Sequence, residues 1–163
     1  MTTTGPLLIG YDGSSDARAA IKYAAHLLPG ATAVVLYARQ PLESVAAHLE
    51  GHPALDDLRD LDTATLDASE RLAAEGADLA QQAGLDAKPR VATAMGTAAD
   101  AIVHAADDVN ASLIVLGSRG RHGLQAALLG STSTTVLHHT HRPTLVIPTD
   151  HTTTSTDRAH PPA

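Results

Sequence analysis

Short apolar runs alternate with stretches of helical periodicity along this chain. Two strands are predicted at residues 7–11 and at Thr32–Arg39, where β-branched and other apolar side chains follow one another. Three more strands are predicted at residues 88–95, 112–117 and 144–148. Strands that are apolar on both faces and alternate with helices are typical of a parallel sheet. The pattern therefore predicts an α/β fold with an open five-stranded parallel sheet and helices on both faces.

The segments between these strands carry the signals of helices and loops. Ser14 or Ser15 is expected to cap the first helix, which ends before Pro29 and Gly30. Further helices are predicted at residues 58–83, 97–106 and 131–139. Residues 40–57 contain proline and glycine and are expected to form a loop with a short helical piece. The polar residues 149–163 are predicted to be a disordered tail that follows a single domain of residues 1–148.

Composition restricts the function of the chain. It has 163 residues, 44% of them hydrophobic, and a formal charge of −7, with Lys22 and Lys88 as its two lysines. An acidic chain lacks the basic surface that nucleic acid and anionic lipid attract, so neither is expected as a partner. The absence of cysteine excludes disulfides and thiolate chemistry. No apolar stretch is long enough for a membrane helix and no signal peptide is evident, so we expect a cytoplasmic protein.

One glycine-rich stretch has the parts of a phosphate-binding loop. Gly117 and Gly120 would let the backbone come close to a ligand, and Gly130 directly precedes a predicted helix. The free N–H groups and positive end of that helix favour an anion. Hydroxyls of Ser131 and Ser133 add donors, and Arg119 and Arg121 add positive charge. The Walker pattern is absent, because no lysine lies nearby.

A second polar loop, Asp12 to Ser15, follows the first predicted strand. In an open parallel sheet, ligands bind at the carboxyl ends of the strands where the strand order reverses. If strands one and four are neighbours, this loop and the glycine-rich loop face each other. The alternative is purely structural, with Asp12 as a turn former and the glycine-rich stretch as a loop before a capped helix.

The spacing of these residues resembles a known signature. Gly117-x-x-Gly120, nine residues, and then Gly130-Ser131 is similar to the ATP-binding signature of the universal stress protein family. The resemblance extends over about residues 5–148 and includes LLIGYDGSSDARAAIKYAAHLL, TAVVLYA and HRPTLVIP. It implies a Rossmann-like sheet of strand order 3-2-1-4-5. It also implies ATP as the ligand, together with Mg²⁺.

The resemblance also implies roles for individual residues. Asp12 would hold the ribose or the adenine edge, and the backbone of Ala38 would face the adenine. The groups expected at the ribose and phosphates are Leu116, Gly117, Gly120, Gly130, Ser131 and Ser133. The family often has valine at the position of Ala38 and a smaller residue at that of Tyr11, and both departures are expected to weaken or retune nucleotide binding.

Three functions are compatible with these observations. The first is an ATP-binding regulatory protein of the stress response that controls a dimer or an unknown partner protein. The second is a slow ATPase, for which Asp12 is the available carboxylate, although no catalytic constellation stands out. The third is a nucleotide-independent interaction module. The resemblance implies a homodimer through residues 144–148, TLVIP, an apolar edge strand suited to pairing.

Two clusters of possible metal ligands have simpler explanations. His138, His139 and His141 stand at the end of a predicted helix, where histidine suits the helix dipole. The acidic residues Asp56, Asp57, Asp60 and Asp62 suit a solvated helix start. Neither cluster is therefore predicted to bind a metal.

Overall fold

The computed structural model describes residues 5–40, 54–119 and 129–148. Its strands are β1 (Leu7–Gly10), β2 (Thr32–Arg39), β3 (Asp86–Thr93), β4 (Leu113–Gly117) and β5 (Thr144–Ile147). Its helices are α1 (Ser15–Leu27), α2 (Ala54–Gln82), α3 (Ala98–Asp108) and α4 (Ser131–His139). The predicted tail and most of the predicted loop at 40–57 lie outside the described residues. No helix in the described ranges combines the length and the apolar character needed to cross a membrane.

The strands form one parallel sheet of order β3-β2-β1-β4-β5, which confirms the predicted topology. β1 lies between β2 and β4, with Leu8 opposite Val34 on one side and Ile114 on the other. The chain places β2 and β3 on one side of β1, and it then crosses over to place β4 and β5 on the other side. The carboxyl ends of β1 and β4 therefore flank the point where the strand order reverses.

Alternate side chains of the strands supply two apolar clusters, one on each face of the sheet. Leu7, Ile9 and Val35 belong to the cluster that contains the alanines of α1 and α2. Leu8 and Leu36 belong to the cluster that contains side chains of α3 and α4. Because the core has no Phe or Trp, the helices present mostly alanine to the sheet and can lie close to it.

The starts of α1 and α3 follow from their capping residues. Of the two candidates for α1, Ser14 is the cap, and its Oγ accepts the Ala17 N–H at 3.2 Å. Thr97 and Asp100 form a reciprocal capping box at the start of α3, and the Thr97 N–H lowers the pKa of the Asp100 carboxyl. The helix α2 begins at Ala54 rather than at residue 58, and β3 begins at Asp86 rather than at residue 88.

Candidate functional site

Asp12 lies in the turn that connects β1 to α1. Its Oδ1 accepts the backbone N–H of Ser14 at 2.9 Å, so its carboxylate orders the turn that places the cap of α1. The turn-forming role considered from the sequence is therefore present. Asp12 is half-buried, which leaves part of the residue accessible at the carboxyl end of β1.

The backbone of Ala38 faces the crevice beside β1. Leu36 accepts a hydrogen bond from the Tyr11 N–H, on the β1 side of β2, at 2.9 Å. Arg39 accepts one from the Ala94 N–H, on the β3 side, at 2.8 Å. Backbone groups of alternate residues in a strand point to opposite neighbours, so those of Ala38 point to the β1 side. The paired residues of β1 end at Gly10, opposite Leu36, and Ala38 therefore lies past them at the edge of the crevice.

Gly117, at the end of β4, is required by packing within the protein. A Cβ on this residue would lie 2.6 Å from the carbonyl carbon of Asp16 and 2.9 Å from the nitrogen of Ala17. The start of α1 thus lies directly against the end of β4. The side chain of the preceding Leu116 is buried in the cluster beneath α3 and α4, so its backbone is the part that remains for a ligand.

Ser118 connects three elements at the carboxyl end of the sheet. Its N–H donates to the Ile147 carbonyl at the end of β5, at 2.8 Å. Its carbonyl accepts the Gly130 N–H at 2.5 Å and the Ser133 hydroxyl at 3.1 Å, both at the start of α4. Its hydroxyl donates to Oδ2 of Asp16, in the first turn of α1, at 2.8 Å. One buried serine therefore links α1, α4 and β5.

The hydrogen bonds made at Ser118 reduce the number of donors that an anion could use at the start of α4. The Gly130 N–H and the Ser133 hydroxyl, both assigned to phosphates from the sequence, donate to carbonyls of the protein. The first N–H groups of a helix have no partner within it, and no side chain caps α4. Ser131 is exposed at this position. The end of α4 therefore offers an anion chiefly the N–H groups of Ser131, Thr132 and Ser133 and the hydroxyl of Ser131.

Asp16 is a charged residue of this region that the sequence reasoning missed. It is 5% exposed, and its Oδ2 accepts the Arg119 N–H at 3.0 Å in addition to the Ser118 hydroxyl. The Arg119 Nε lies 3.7 Å from the same oxygen. In the sequence Asp16 looks like an ordinary acidic residue in a first helical turn. The remaining predicted residue of the loop, Gly120, and its neighbour Arg121 lie outside the described residues.

Tyr11 lies at the same end of the sheet but its side chain points to the face covered by α1 and α2. Its hydroxyl donates to Glu75 of α2 at 2.6 Å. Burial, together with the hydrogen bond to the Glu75 carboxylate, raises the pKa of Tyr11 to about 12. Its ring is thus part of the core packing, on the opposite face from the cluster that holds Leu116.

A partly buried ion pair lies next to Ala38 and was also missed. Arg39 is 5% exposed, and its Nη2 donates to Asp62 of α2 at 2.5 Å. The Arg39 Nε is buried without a hydrogen-bond partner. Asp62 had been grouped with a solvated helix start, which is correct for the exposed Asp56 and Asp57 but not for Asp62. The pair fixes the carboxyl end of β2 to α2.

The histidines at the end of α4 are exposed, and the Nδ1 of His139 lies 2.8 Å from the Thr135 carbonyl. Across the described ranges no group of three or more His, Cys, Asp or Glu could hold a metal ion. An open cavity of about 410 Å³ lies between β2 and α2, lined by residues such as Tyr37, Ser69 and Leu72. It is on the other face of β2 from the side chains of Leu36 and Ala38, so we do not assign it to the crevice between β1 and β4.

The sequence and the fold were compared with known proteins. The sequence model of the universal stress protein family matches residues 4–148. This chain belongs to the universal stress protein family. A universal stress protein of Synechocystis sp. is 38% identical over 69 residues, which are 42% of this chain and 64% of that relative. The match thus spans less than two thirds of the relative's length.

Solved structures of other proteins share the fold. The hypothetical protein MJ0577 superposes with a TM-score of 0.74 at 20% identity, covering 91% of this chain and 99% of that one. A universal stress protein in complex with cAMP superposes with a TM-score of 0.61 at 25% identity, covering 90% of this chain and 98% of that one. Both confirm the universal stress protein architecture, with helices on both faces of a five-stranded parallel sheet.

Proposed function

We propose that this chain is a regulatory protein that binds an adenine nucleotide at the carboxyl ends of β1 and β4. The adenine lies against the backbone of Ala38, the ribose lies near Asp12, and the phosphates lie at the start of α4. The signature resemblance implies that ATP is among the nucleotides that bind. No catalytic base is assigned, and the proposal does not require hydrolysis.

The position of α4 is the observation that carries this proposal. The cap of α4, Gly130, is hydrogen-bonded to Ser118, the residue that directly follows β4. The positive end of a nine-residue helix is therefore held at the crevice where the strand order reverses. The structural relative that holds cAMP supports an adenine nucleotide as the ligand.

Magnesium fits this proposal only as an ion bound to the phosphates of the nucleotide. Mg²⁺ commonly keeps several waters and binds through substrate phosphates with one or two carboxylates. The described residues contain no cluster that could form a protein cage for it. Asp12 is the half-buried carboxylate at the crevice that could contact a hydrated ion on the phosphates.

The same contacts give a route by which a nucleotide could influence a partner. Ser118 joins the start of α4 to the end of β5, which is the edge strand of the sheet. A ligand that shifts the start of α4 would act on the hydrogen bond between Ser118 and Ile147. We propose that β5 carries the homodimer contact and that its edge is what the nucleotide regulates in the cytoplasm.

Calorimetric titration with ATP and AMP tests the binding site. Ser131→Asp places a negative charge at the start of α4, where it suits the helix dipole but repels phosphate. We expect at least about tenfold weaker binding than in the unaltered protein. Ser112→Asp is the matched control, because Ser112 is exposed at the opposite end of β4. Equal affinity of the two variants, or no binding by the unaltered protein, would contradict the proposal.

A further inference from the structure

A buried negative charge lies next to the proposed phosphate position. The Asp16 side chain is 7% exposed and shares Ser118 with the start of α4. Ser118 donates its hydroxyl to Asp16 and accepts the Gly130 N–H with its carbonyl. One residue therefore separates the carboxylate from the helix end at which the phosphates would bind. Screening by salt is weak over so short a buried path.

The same carboxylate holds the cation of this region. The Arg119 side chain is 13% exposed, and its Nε lies 3.7 Å from Asp16 Oδ2. The Arg119 N–H donates to the same oxygen at 3.0 Å, so backbone and side chain are both directed toward α1. A buried carboxylate needs such partners, because an unpaired buried charge is strongly unfavourable. The Arg119 guanidinium thus lies beside Asp16, at the start of α1.

We infer that Asp16 makes the site unselective for the number of phosphates on the nucleotide. It does so by keeping Arg119 away from the β- and γ-phosphates. The inference rests on the proposed nucleotide site. With Arg119 held by Asp16, added phosphates gain little attraction, and ATP binds no more tightly than AMP. Neutralising Asp16 releases Arg119 and makes the site favour ATP.

The test is calorimetric titration of AMP, ADP and ATP, with magnesium chelated so that the phosphates carry their full charge. We expect the unaltered protein to bind ATP and AMP with affinities within about threefold of each other. Asp16→Asn keeps the shape of the side chain and should tighten ATP at least about fivefold more than AMP. Asp78→Asn, an exposed change on α2, is the control for net charge and should leave the ratio unchanged.

A second variant tests the mechanism. Adding Arg119→Gln to Asp16→Asn should remove the gain in ATP affinity, because the released guanidinium carries it. The ratio of affinities is the decisive readout, since a merely structural role of Asp16 would change binding of all three nucleotides together.

The outcomes separate this inference from the proposed function. If neither the unaltered protein nor Asp16→Asn binds any of the three nucleotides, the nucleotide site itself is wrong. If nucleotides bind but the unaltered protein prefers ATP more than about tenfold, Asp16 does not withhold Arg119, and this result needs no variant to fold. An unchanged ratio in Asp16→Asn, or a gain that persists in the double variant, would also overturn the inference.

Discussion

The loops at the amino ends of β2 and β3 and those at the carboxyl ends of β1 and β4 are connected in different ways. At the amino end, the loops before β2 and β3 are joined by backbone hydrogen bonds, such as that from the Gly30 N–H to the Gly84 carbonyl at 3.0 Å. At the carboxyl ends of β1 and β4, side chains of Asp16, Ser118 and Ser133 make connections in addition to the backbone hydrogen bonds of Ser118. Backbone contacts tolerate many side chains, whereas the carboxyl end depends on particular ones. The residue-dependent connections therefore lie at the end of the sheet where we propose that the nucleotide binds.

The largest effect on the free energy of unfolding is expected for a substitution of Gly117. Gly117→Ala would bring a Cβ within 2.6 Å of Asp16 and 2.9 Å of Ala17, and the close atoms include backbone of α1. The start of α1 would have to move away from β4, so we expect a loss of about 3 kcal/mol in the free energy of unfolding. Urea denaturation followed by circular dichroism measures this. A loss below about 1 kcal/mol would show that the contact between α1 and β4 yields easily.

The second-largest effect on the free energy of unfolding is expected for a substitution of Asp16, which accepts hydrogen bonds from Ser118 and Arg119. Asp16→Ala leaves the Ser118 hydroxyl and the Arg119 N–H without their buried acceptor, and we expect a loss of about 2 kcal/mol. Asp108→Ala is the control, because Asp108 pairs with Arg90 in a salt bridge whose carboxylate side chain is 63% exposed. That change should cost no more than about 0.5 kcal/mol. Similar losses in the two variants would contradict the importance given to these hydrogen bonds.

A smaller effect on the free energy of unfolding is expected for a substitution of Tyr11. Tyr11→Phe removes the hydrogen bond to Glu75 and should lower the free energy of unfolding by about 1 kcal/mol at neutral pH. Folding raises the pKa of Tyr11 to about 12, above the value near 10 of an exposed tyrosine. The stabilisation from the hydrogen bond of Tyr11 to Glu75 is therefore fully present below about pH 10, and it is lost as the pH rises toward about 12.

Two measurements check the assignment of Tyr11. Absorbance titration of the phenolate should lose its most alkaline component in Tyr11→Phe. Unfolding of the two proteins should differ at about pH 9 and converge at about pH 12. A difference in stability that grows with pH would have the wrong sign for a raised pKa.

An effect of similar size on stability, with none on nucleotide binding, is expected at the amino end. Gly84 has a φ of +103° with no atom within 4 Å of a Cβ position, so Gly84→Ala causes backbone strain without a clash. We expect a loss of about 1 kcal/mol in the free energy of unfolding, and no change in nucleotide affinity. Thermal unfolding and calorimetric titration measure the two quantities. A change in nucleotide affinity in this variant would remove the functional distinction between the two ends.

Much of the fold could be predicted because local patterns determine it. The bounds of β2 and α4 agree with those expected from the apolar run at Thr32–Arg39 and the hydroxyl-rich start at Ser131. The start of α2 was placed too late, although an acidic first turn with Asp56 and Asp57 is a usual signal of a helix start. The resemblance supplied the strand order, which no single strand encodes.

The site was harder to predict, because its contacts join distant parts of the chain. Asp16 and Ser118 are 102 positions apart, so nothing near Asp16 reveals its buried partners. Gly117 is predicted to admit a ligand, and the structure adds that its missing Cβ lets α1 lie close to β4. Ser133 is predicted to donate to phosphate, and in the structure its hydroxyl donates to the Ser118 carbonyl. Such competition between internal and external partners emerges only when the elements are assembled.

Two-dimensional ¹H–¹⁵N NMR of the purified protein, recorded as AMP and then ATP are added, tests the central claim most directly. The account predicts shifts at the carboxyl end of the sheet, at Asp12, Ala38, Ser118 and Ser131, and none at Gly30 or Gly84. A protein whose spectrum stays unchanged at millimolar nucleotide, or one whose shifts fall at the amino end, would contradict it.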